Sequence, residues 1–185
     1  LVNRLLLPYM NEAMFLFEEG VSVERIDRVM KDFGMPMGPM RLADEVGIDV
    51  GAKVAKILNQ AFGARAQAAP LAEAVASSGR LGKKNGKGFY LYENGKETGI
   101  DDSILEVVKN RNTRSAGLSD GELIQRMTYP MINEAALALQ DVVVKTPGEV
   151  DLGMIMGTGF PPFRGGLLRF ADNEGVKRVA ETLER

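Results

Sequence analysis

Apolar positions recur with helical spacing over most of the chain, beginning at its first residues. Residues 5–17 are mostly apolar and predict a long helix that is buried on most of its sides. Pro8 falls inside this pattern and lacks a backbone donor, so a kink is expected there. A second helix should begin after Ser22 and end at Gly34. Its apolar positions have amphipathic spacing: Ile26, Val29, Met30 and Phe33.

Further predicted helices follow an irregular loop at 35–40 that is rich in proline and methionine. Pro39 can begin the first of these helices, with Leu42 and Val46 facing inward. Residues 50–62 predict another helix, which should bury four apolar side chains: Val54, Ile57, Leu58 and Phe62.

A basic, glycine-rich loop at 82–88 separates a short predicted helix at 71–76 from a strand-like run at 89–92. The Asn-Gly pair at 94–95 then predicts a turn. The polar stretch that follows holds one modest helix near 103–108, and we interpret this stretch as a linker.

An altered copy of the opening run recurs in the second half of the chain. Four residues are matched at a single offset: Pro8, Asn11, Glu12 and Ala13 by Pro130, Asn133, Glu134 and Ala135. The sequence therefore predicts a tandem duplication. Only the first copy has an asparagine before its arginine, since Gln125 stands where the first copy has Asn3.

The second copy has clearer helix starts than the first. Ser119 with Glu122 predicts a capping box in front of a helix at 124–139. Thr146 with Glu149 predicts a second capping box. Both signals predict the start of a helix in the second copy.

The fold class that follows is all-α, with two similar helical domains. Residues 157–166 repeat the proline-rich loop at 35–40, and an Ala-Asp pair recurs after each loop. We predict a first domain at 1–96, a linker at 97–118 and a second, degenerate copy at 119–185.

The composition excludes several kinds of chemistry. The 185 residues include no cysteine and no histidine, so a thiolate nucleophile, a Ser-His-Asp site and the usual nitrogen and sulfur metal ligands are absent. A net charge of −2 gives no electrostatic footprint for nucleic acid. No apolar run reaches the length of a membrane span. No signal peptide is recognisable and the first residue is not Met, so we expect a piece of a longer, cytoplasmic protein.

Four stretches are candidates for polar contacts. The loop at 82–88 fits neither the P-loop nor the dinucleotide pattern, so it is either a solvated turn or a place where a lysine reaches a ligand phosphate. The Gly-Thr-Gly run at 157–159 favours a tight turn. Asn3 is either a cap or solvated residue, or a group that orients a substrate carbonyl or hydroxyl. The repeated pairs at 11–12 and 133–134 favour buried structural networks, because a catalytic residue need not occur twice.

The first copy carries motifs in an order that is typical of one family. They are 3–9 with 12–13, 26–27, 36–39 with Asp44, 46–49, and 82–90. With these motifs the chain resembles the C-terminal domain of 3-hydroxyacyl-CoA dehydrogenases, which is similar in fold to that of 6-phosphogluconate dehydrogenase. The second copy looks like the degenerate repeat of multifunctional fatty-acid oxidation enzymes. The resemblance implies an intramolecular pseudo-dimer, with the two copies packed face to face through their long first helices.

The resemblance also implies an NAD-dependent enzyme of fatty-acid β-oxidation that oxidises a (3S)-3-hydroxyacyl-CoA and carries an enoyl-CoA hydratase module. The family's catalytic histidine and glutamate lie in a Rossmann module that binds most of the NAD. This chain lacks that module, so the fragment alone is expected to be inactive. Asn3 matches the family's substrate-orienting asparagine, and Lys84 matches its lysine near the NAD. Met156 takes a substrate-contact position, where its contact would be apolar.

The expected partners are an acyl-CoA substrate, the missing Rossmann and hydratase modules, and a thiolase subunit. Two other functions stay open. One is a purely structural module whose copies pack together and dock a partner. The other is a different dehydrogenase family with a similar helical dimerisation domain. The tandem copies and the loop at 82–90 argue against that second alternative.

Overall fold

The computed structural model describes residues 1–108 and 112–184, with the side chains of 64 and 65 left aside. Three residues of the predicted linker, 109–111, lie outside the described residues. So does Arg185, the last residue of the predicted second copy.

The described part of the chain is mostly helical and contains one antiparallel hairpin. Its helices are α1 (Val2–Glu18), α2 (Val23–Phe33), α3 (Pro39–Val46), α4 (Ile48–Phe62), α5 (Pro70–Ser77), α6 (Asp120–Gln140), α7 (Pro147–Thr158), α8 (Leu167–Glu174) and α9 (Val176–Leu183). Its strands are β1 (Tyr90–Glu93) and β2 (Lys96–Ile100). The helical class is therefore confirmed, with a hairpin that a strictly all-α description leaves out.

The first two helices follow the predicted pattern. α1 contains Pro8 and buries one side almost completely, with Leu5, Tyr9, Ala13 and Leu16 at 0% exposure. Ser22 caps α2 by accepting a hydrogen bond from the backbone N–H of Arg25 at 3.2 Å, and Gly34 ends the helix in the left-handed region. All four apolar positions predicted for this helix are buried.

The inward positions predicted for α3 and α4 are partly wrong. Val46 is 52% exposed and Ile57 is 62% exposed, while Val54, Leu58 and Phe62 are only half-buried. α4 buries Ile48 and Ala55 instead. The apolar residues of α4 outnumber those that the core can cover, because part of this helix faces an open pocket.

The sequence predicts only the first strand and the turn of the hairpin. β1 and the turn at 94–95 agree with that prediction, whereas β2 lies in the stretch interpreted as a linker. β2 is polar and mostly exposed, so it has no alternation of apolar residues by which to recognise it. The expected helix near 103–108 is a 3₁₀ turn at Asp102–Glu106.

Both predicted caps of the second half are present, although the second differs in detail. Ser119 and Glu122 exchange backbone hydrogen bonds as a capping box. Thr146 caps α7 through the N–H of Glu149. The Glu149 carboxylate then accepts from the N–H of Lys145 at 2.7 Å, one residue before the cap.

A single apolar core joins the two halves of the chain. α1 packs along α6, and residues of both helices belong to one buried cluster. Rings from both halves also meet edge to face, with the Phe33 centroid 5.7 Å from Phe160 and 5.2 Å from Phe170. Among the described helices, none is long and apolar enough to cross a bilayer.

Candidate functional site

An apolar pocket of about 240 Å³ lies between α1, α3 and α4. Asn3 lines it from the first turn of α1 and is exposed. Most of the remaining lining is aliphatic, and the buried Phe89 ring closes one side. Its main apolar residues are Leu6, Leu7, Met10, Leu42, Val50 and Val54. Two amides, those of Asn3 and Asn11, thus border a hydrophobic groove.

The wall formed by α1 is tied to the chain beyond α4 through Asn11. The Asn11 Nδ2 donates to the carbonyl of Gln67 at 3.0 Å, and its Oδ1 accepts from the N–H of Ala69 at 2.6 Å. Asn11 is thus the structural tie that was predicted for it. Asn133, its counterpart in the second half, is exposed, so the prediction of a buried network there is wrong for the asparagine.

Reciprocal ion pairs join α1 and α6. Arg4 binds Glu134 at 2.5 Å and Asp141 at 2.7 Å. Arg126 binds two carboxylates in the same way, each at 2.9 Å: those of Glu12 and Glu19. Every member of the first set matches a member of the second at the offset that relates Pro8 to Pro130. The repeated glutamates therefore serve the contact between the two helices.

A second reciprocal contact involves the glycines that end α2 and α7. A Cβ added at Gly34 would lie 2.9 Å from the Cγ of Pro161, and one added at Gly159 would lie 2.7 Å from the Cγ of Pro36. Both glycines have positive φ, +120° and +69°, which disfavours other residues independently of space. Each proline-rich loop thus packs on the helix end of the opposite half.

The basic loop before β1 is anchored on Asp44 of α3. The Asp44 carboxylate accepts hydrogen bonds from the backbone N–H groups of Phe89 at 3.0 Å and Tyr90 at 2.9 Å. It also accepts one from the hydroxyl of Tyr92 at 3.1 Å. A Cβ on Gly88 would lie 2.0 Å from Asp44 Oδ1, so this approach requires glycine. Burial raises the pKa of Asp44 to about 6, although these hydrogen bonds act in the opposite direction.

Lys84 lies beside the pocket rather than inside it. Its Nζ pairs with Asp49, whose pKa is held below the usual range by that ammonium. A Cβ on Gly47, a pocket-lining residue, would be 3.3 Å from this Nζ. The neighbouring Lys83 pairs with a carboxylate too, that of Glu45 at 2.6 Å. The loop therefore presents lysines that are already matched with carboxylates.

Met156 stands apart from the pocket that Asn3 lines. It lies on α7 and is 78% exposed. On the same helix, a Cβ at Gly153 or Gly157 would contact the side chains of Leu1 or Val2, so α7 packs close to the start of α1. Of the three predicted site residues, only Asn3 lines the pocket.

Sequence reasoning missed most of the pocket walls. Leu6, Leu7 and Met10 lie in the run that predicts a buried helix. Val50 begins the helix predicted at 50–62 without being among its predicted inward positions. The signal that could have found them is the excess of apolar residues on α4. Such an excess on one helix indicates a face that something other than the core must cover.

The described residues do not fit a complete dinucleotide site. In 1–108 and 112–184 the only sheet is the antiparallel hairpin, without the parallel strand and glycine-rich turn that hold a pyrophosphate. A nicotinamide cofactor would need a fold that this part of the chain does not supply.

Comparisons with known proteins agree with this architecture. The family model described as 3-hydroxyacyl-CoA dehydrogenase, C-terminal domain, matches residues 1–92. A fatty acid oxidation complex subunit alpha from Vibrio vulnificus is 41% identical over 184 residues, covering 100% of this chain and 26% of the relative. The same-named protein from Shewanella loihica is 44% identical over 191 residues, again with 100% and 26% coverage. The chain thus spans about a quarter of the length of these relatives.

Solved structures extend the likeness beyond residue 92. The Escherichia coli K12 3-hydroxybutyryl-CoA dehydrogenase has a TM-score of 0.76 at 24% identity, covering 100% of this chain and 54% of that one, which shows the shared fold. The dehydrogenase part of multifunctional enzyme 1 from C. elegans has a TM-score of 0.68 at 28% identity, covering 86% and 36%. Residues 1–92 of this chain are thus similar to the C-terminal domain of 3-hydroxyacyl-CoA dehydrogenases.

Proposed function

We propose that this chain is the substrate-side and assembly part of an NAD-dependent (3S)-3-hydroxyacyl-CoA dehydrogenase of fatty-acid β-oxidation. The whole enzyme oxidises the 3-hydroxyl group of an acyl-CoA, and this part contributes a binding surface. The relatives that match the full chain are subunits of a fatty acid oxidation complex, and they are about four times longer.

The observation that carries the proposal is the position of Asn3 at the rim of an apolar pocket. An amide can donate to one substrate oxygen and accept from another without titrating, which suits the orientation of a hydroxyl or carbonyl group. The aliphatic walls suit an acyl chain. The histidine that takes the hydroxyl proton in the family would come from another part of the whole protein, because this chain has no histidine.

We also propose that residues 1–96 and 119–185 are tandem copies that form an intramolecular pseudo-dimer. In a two-fold contact each interaction occurs twice. If a residue of one half contacts a residue of the other, their counterparts make the same contact with the halves exchanged. The arginine pairs of α1 and α6 and the two glycine–proline contacts meet this condition. The sequence match relates these residues in pairs, and the contacts add that each pair meets in a reciprocal arrangement.

Several finer parts of the proposal follow from the family resemblance. Lys84 approaches the cofactor, which a Rossmann module of the whole protein binds. Met156 makes an apolar contact with substrate, and its exposure of 78% leaves it accessible. A hydratase module in the same polypeptide, a thiolase partner and a cytoplasmic location remain predictions. The isolated chain is expected to be inactive.

Replacing Asn3 in the whole enzyme tests the substrate role. Asn3→Ala should lower kcat/KM for 3-hydroxyacyl-CoA by about 100-fold, the usual effect of removing one positioned hydrogen-bonding group. Folding should be unaffected, because Asn3 is exposed. Gln125→Ala is the matched control, since Gln125 occupies the equivalent position in the second half.

The competing function is a purely structural module that pairs its two copies and docks a partner. That function predicts normal kcat/KM for both variants. A folded Asn3→Ala enzyme with unchanged activity would therefore reject the substrate role and favour the structural one. Equal losses in Asn3→Ala and Gln125→Ala would also count against a specific role for Asn3.

A further inference from the structure

We infer that Arg4 is a positioning residue, which acts by fixing Asn3 at the pocket rim through ion pairs with the second half of the chain. This inference rests on the proposed substrate role of Asn3. It assigns the second half a part in substrate orientation in addition to assembly.

Arg4 and Asn3 are neighbours on α1 that face in different directions. Successive residues of an α-helix are about 100° apart around its axis. Asn3 lines the pocket, whereas Arg4 reaches α6 and binds Glu134 and Asp141. The Arg4 and Glu134 side chains are each 10% exposed, so this pair is largely shielded from water. A rotation of the first turn of α1 would break these bonds and move Asn3.

Arg4 also contacts α4, the helix that faces α1 across the pocket, at its last residue, which lies outside the pocket lining. Its guanidinium lies 5.0 Å from the ring centroid of Phe62, near the end of α4. A planar guanidinium that engages two carboxylates and a ring restrains orientation more strongly than a flexible ammonium would. One side chain thus connects α6 with α1 and with the end of α4, two of the helices that border the pocket.

Arg126 provides an internal comparison for Arg4. It makes the equivalent ion pairs, with Glu12 and Glu19, across the same contact between α1 and α6. Its neighbour is Gln125, which does not line the pocket of Asn3. Loss of either arginine therefore weakens the same contact between α1 and α6. Only the loss of Arg4 removes ion pairs that hold the turn of α1 containing Asn3.

The test uses the whole dehydrogenase with Arg4→Gln and Arg126→Gln, each alone and combined with Asn3→Ala. Both single variants should lower Tm by similar amounts. Arg4→Gln should lower kcat at least about tenfold, because small displacements of an orienting group are costly. Arg126→Gln should change kcat less than about twofold. In the Asn3→Ala background, Arg4→Gln should produce almost no further loss, as expected for residues that act together.

Equal losses of kcat in the two arginine variants would overturn the inference, as would a full additional loss when Arg4→Gln is added to Asn3→Ala. If the glutamine variants do not fold, Arg4→Lys and Arg126→Lys keep the charge and replace them in the same comparison. A normal Asn3→Ala enzyme would instead reject the proposed function itself. The two failures are therefore distinguishable.

Discussion

Asp44 anchors the hairpin and the basic loop, and its removal should destabilise the chain by a predictable amount. Asp44→Ala leaves three donors without their acceptor: the N–H groups of Phe89 and Tyr90 and the hydroxyl of Tyr92. All three residues are buried, at 0%, 2% and 8% exposure. Each buried donor without a partner costs about 1–3 kcal/mol.

The loss is partly offset because the variant no longer buries a charge. The pKa of Asp44 is raised from 3.8 to about 6, which corresponds to about 3 kcal/mol by the conversion of 1.36 kcal/mol per pKa unit. The net destabilisation expected for Asp44→Ala is therefore centred on about 3 kcal/mol, within a range of about 0–6 kcal/mol. A smaller loss would follow if water replaced the carboxylate at the buried N–H groups.

Asp172 supplies the matched control. It follows an alanine in the second half of the chain, as Asp44 does in the first half. Asp172 is exposed, so Asp172→Ala should change the unfolding free energy by less than about 0.5 kcal/mol. Urea unfolding of the purified chain, followed by circular dichroism, measures both values if the m-value is unchanged. Equal stability losses in the two variants would refute the role assigned to the Asp44 hydrogen bonds.

Two further predictions concern pH and the pocket. Because burial raises the pKa of Asp44 to about 6, its titration contributes stability that is fully present below the unfolded value of 3.8 and is lost as pH rises through about 6. The unfolding free energy of the wild type relative to Asp44→Asn should therefore increase by about 3 kcal/mol from pH ~8 to pH ~4, and a constant difference would contradict this. In the whole enzyme, Val54→Phe should fill part of the pocket and raise KM several-fold for long-chain substrates relative to four-carbon ones. Ile57→Phe, on the exposed part of α4, should leave that ratio unchanged, and equal effects would argue against an acyl chain in the pocket.

The helices were predictable because their signals are local. Ser22, Gly34 and the capping box of Ser119 with Glu122 determine helix ends through bonds within a few residues. The offset between Pro8 and Pro130 likewise predicts two similar helices, and each proline lies inside a helix.

The pocket and the hairpin were less predictable because they depend on distant residues. Whether an apolar residue of α4 is buried depends on whether another element covers it, and periodicity cannot distinguish a core from an open groove. β2 pairs with β1 although its own sequence is polar. The pairing of Arg4 with Glu134 joins residues from opposite halves, so the sequence indicated Glu134 as part of a structural network without identifying Arg4 as its partner.

A structure of the whole dehydrogenase with a bound 3-oxoacyl-CoA product would show whether Asn3 orients the substrate. The Asn3 amide should lie within about 2.7–3.2 Å of a substrate oxygen at the reacting carbon, as a hydrogen bond requires. The acyl chain should lie against Val50 and Val54. A complex in which Asn3 is beyond hydrogen-bonding distance and the pocket between α1 and α4 is covered by another part of the protein would contradict this substrate role.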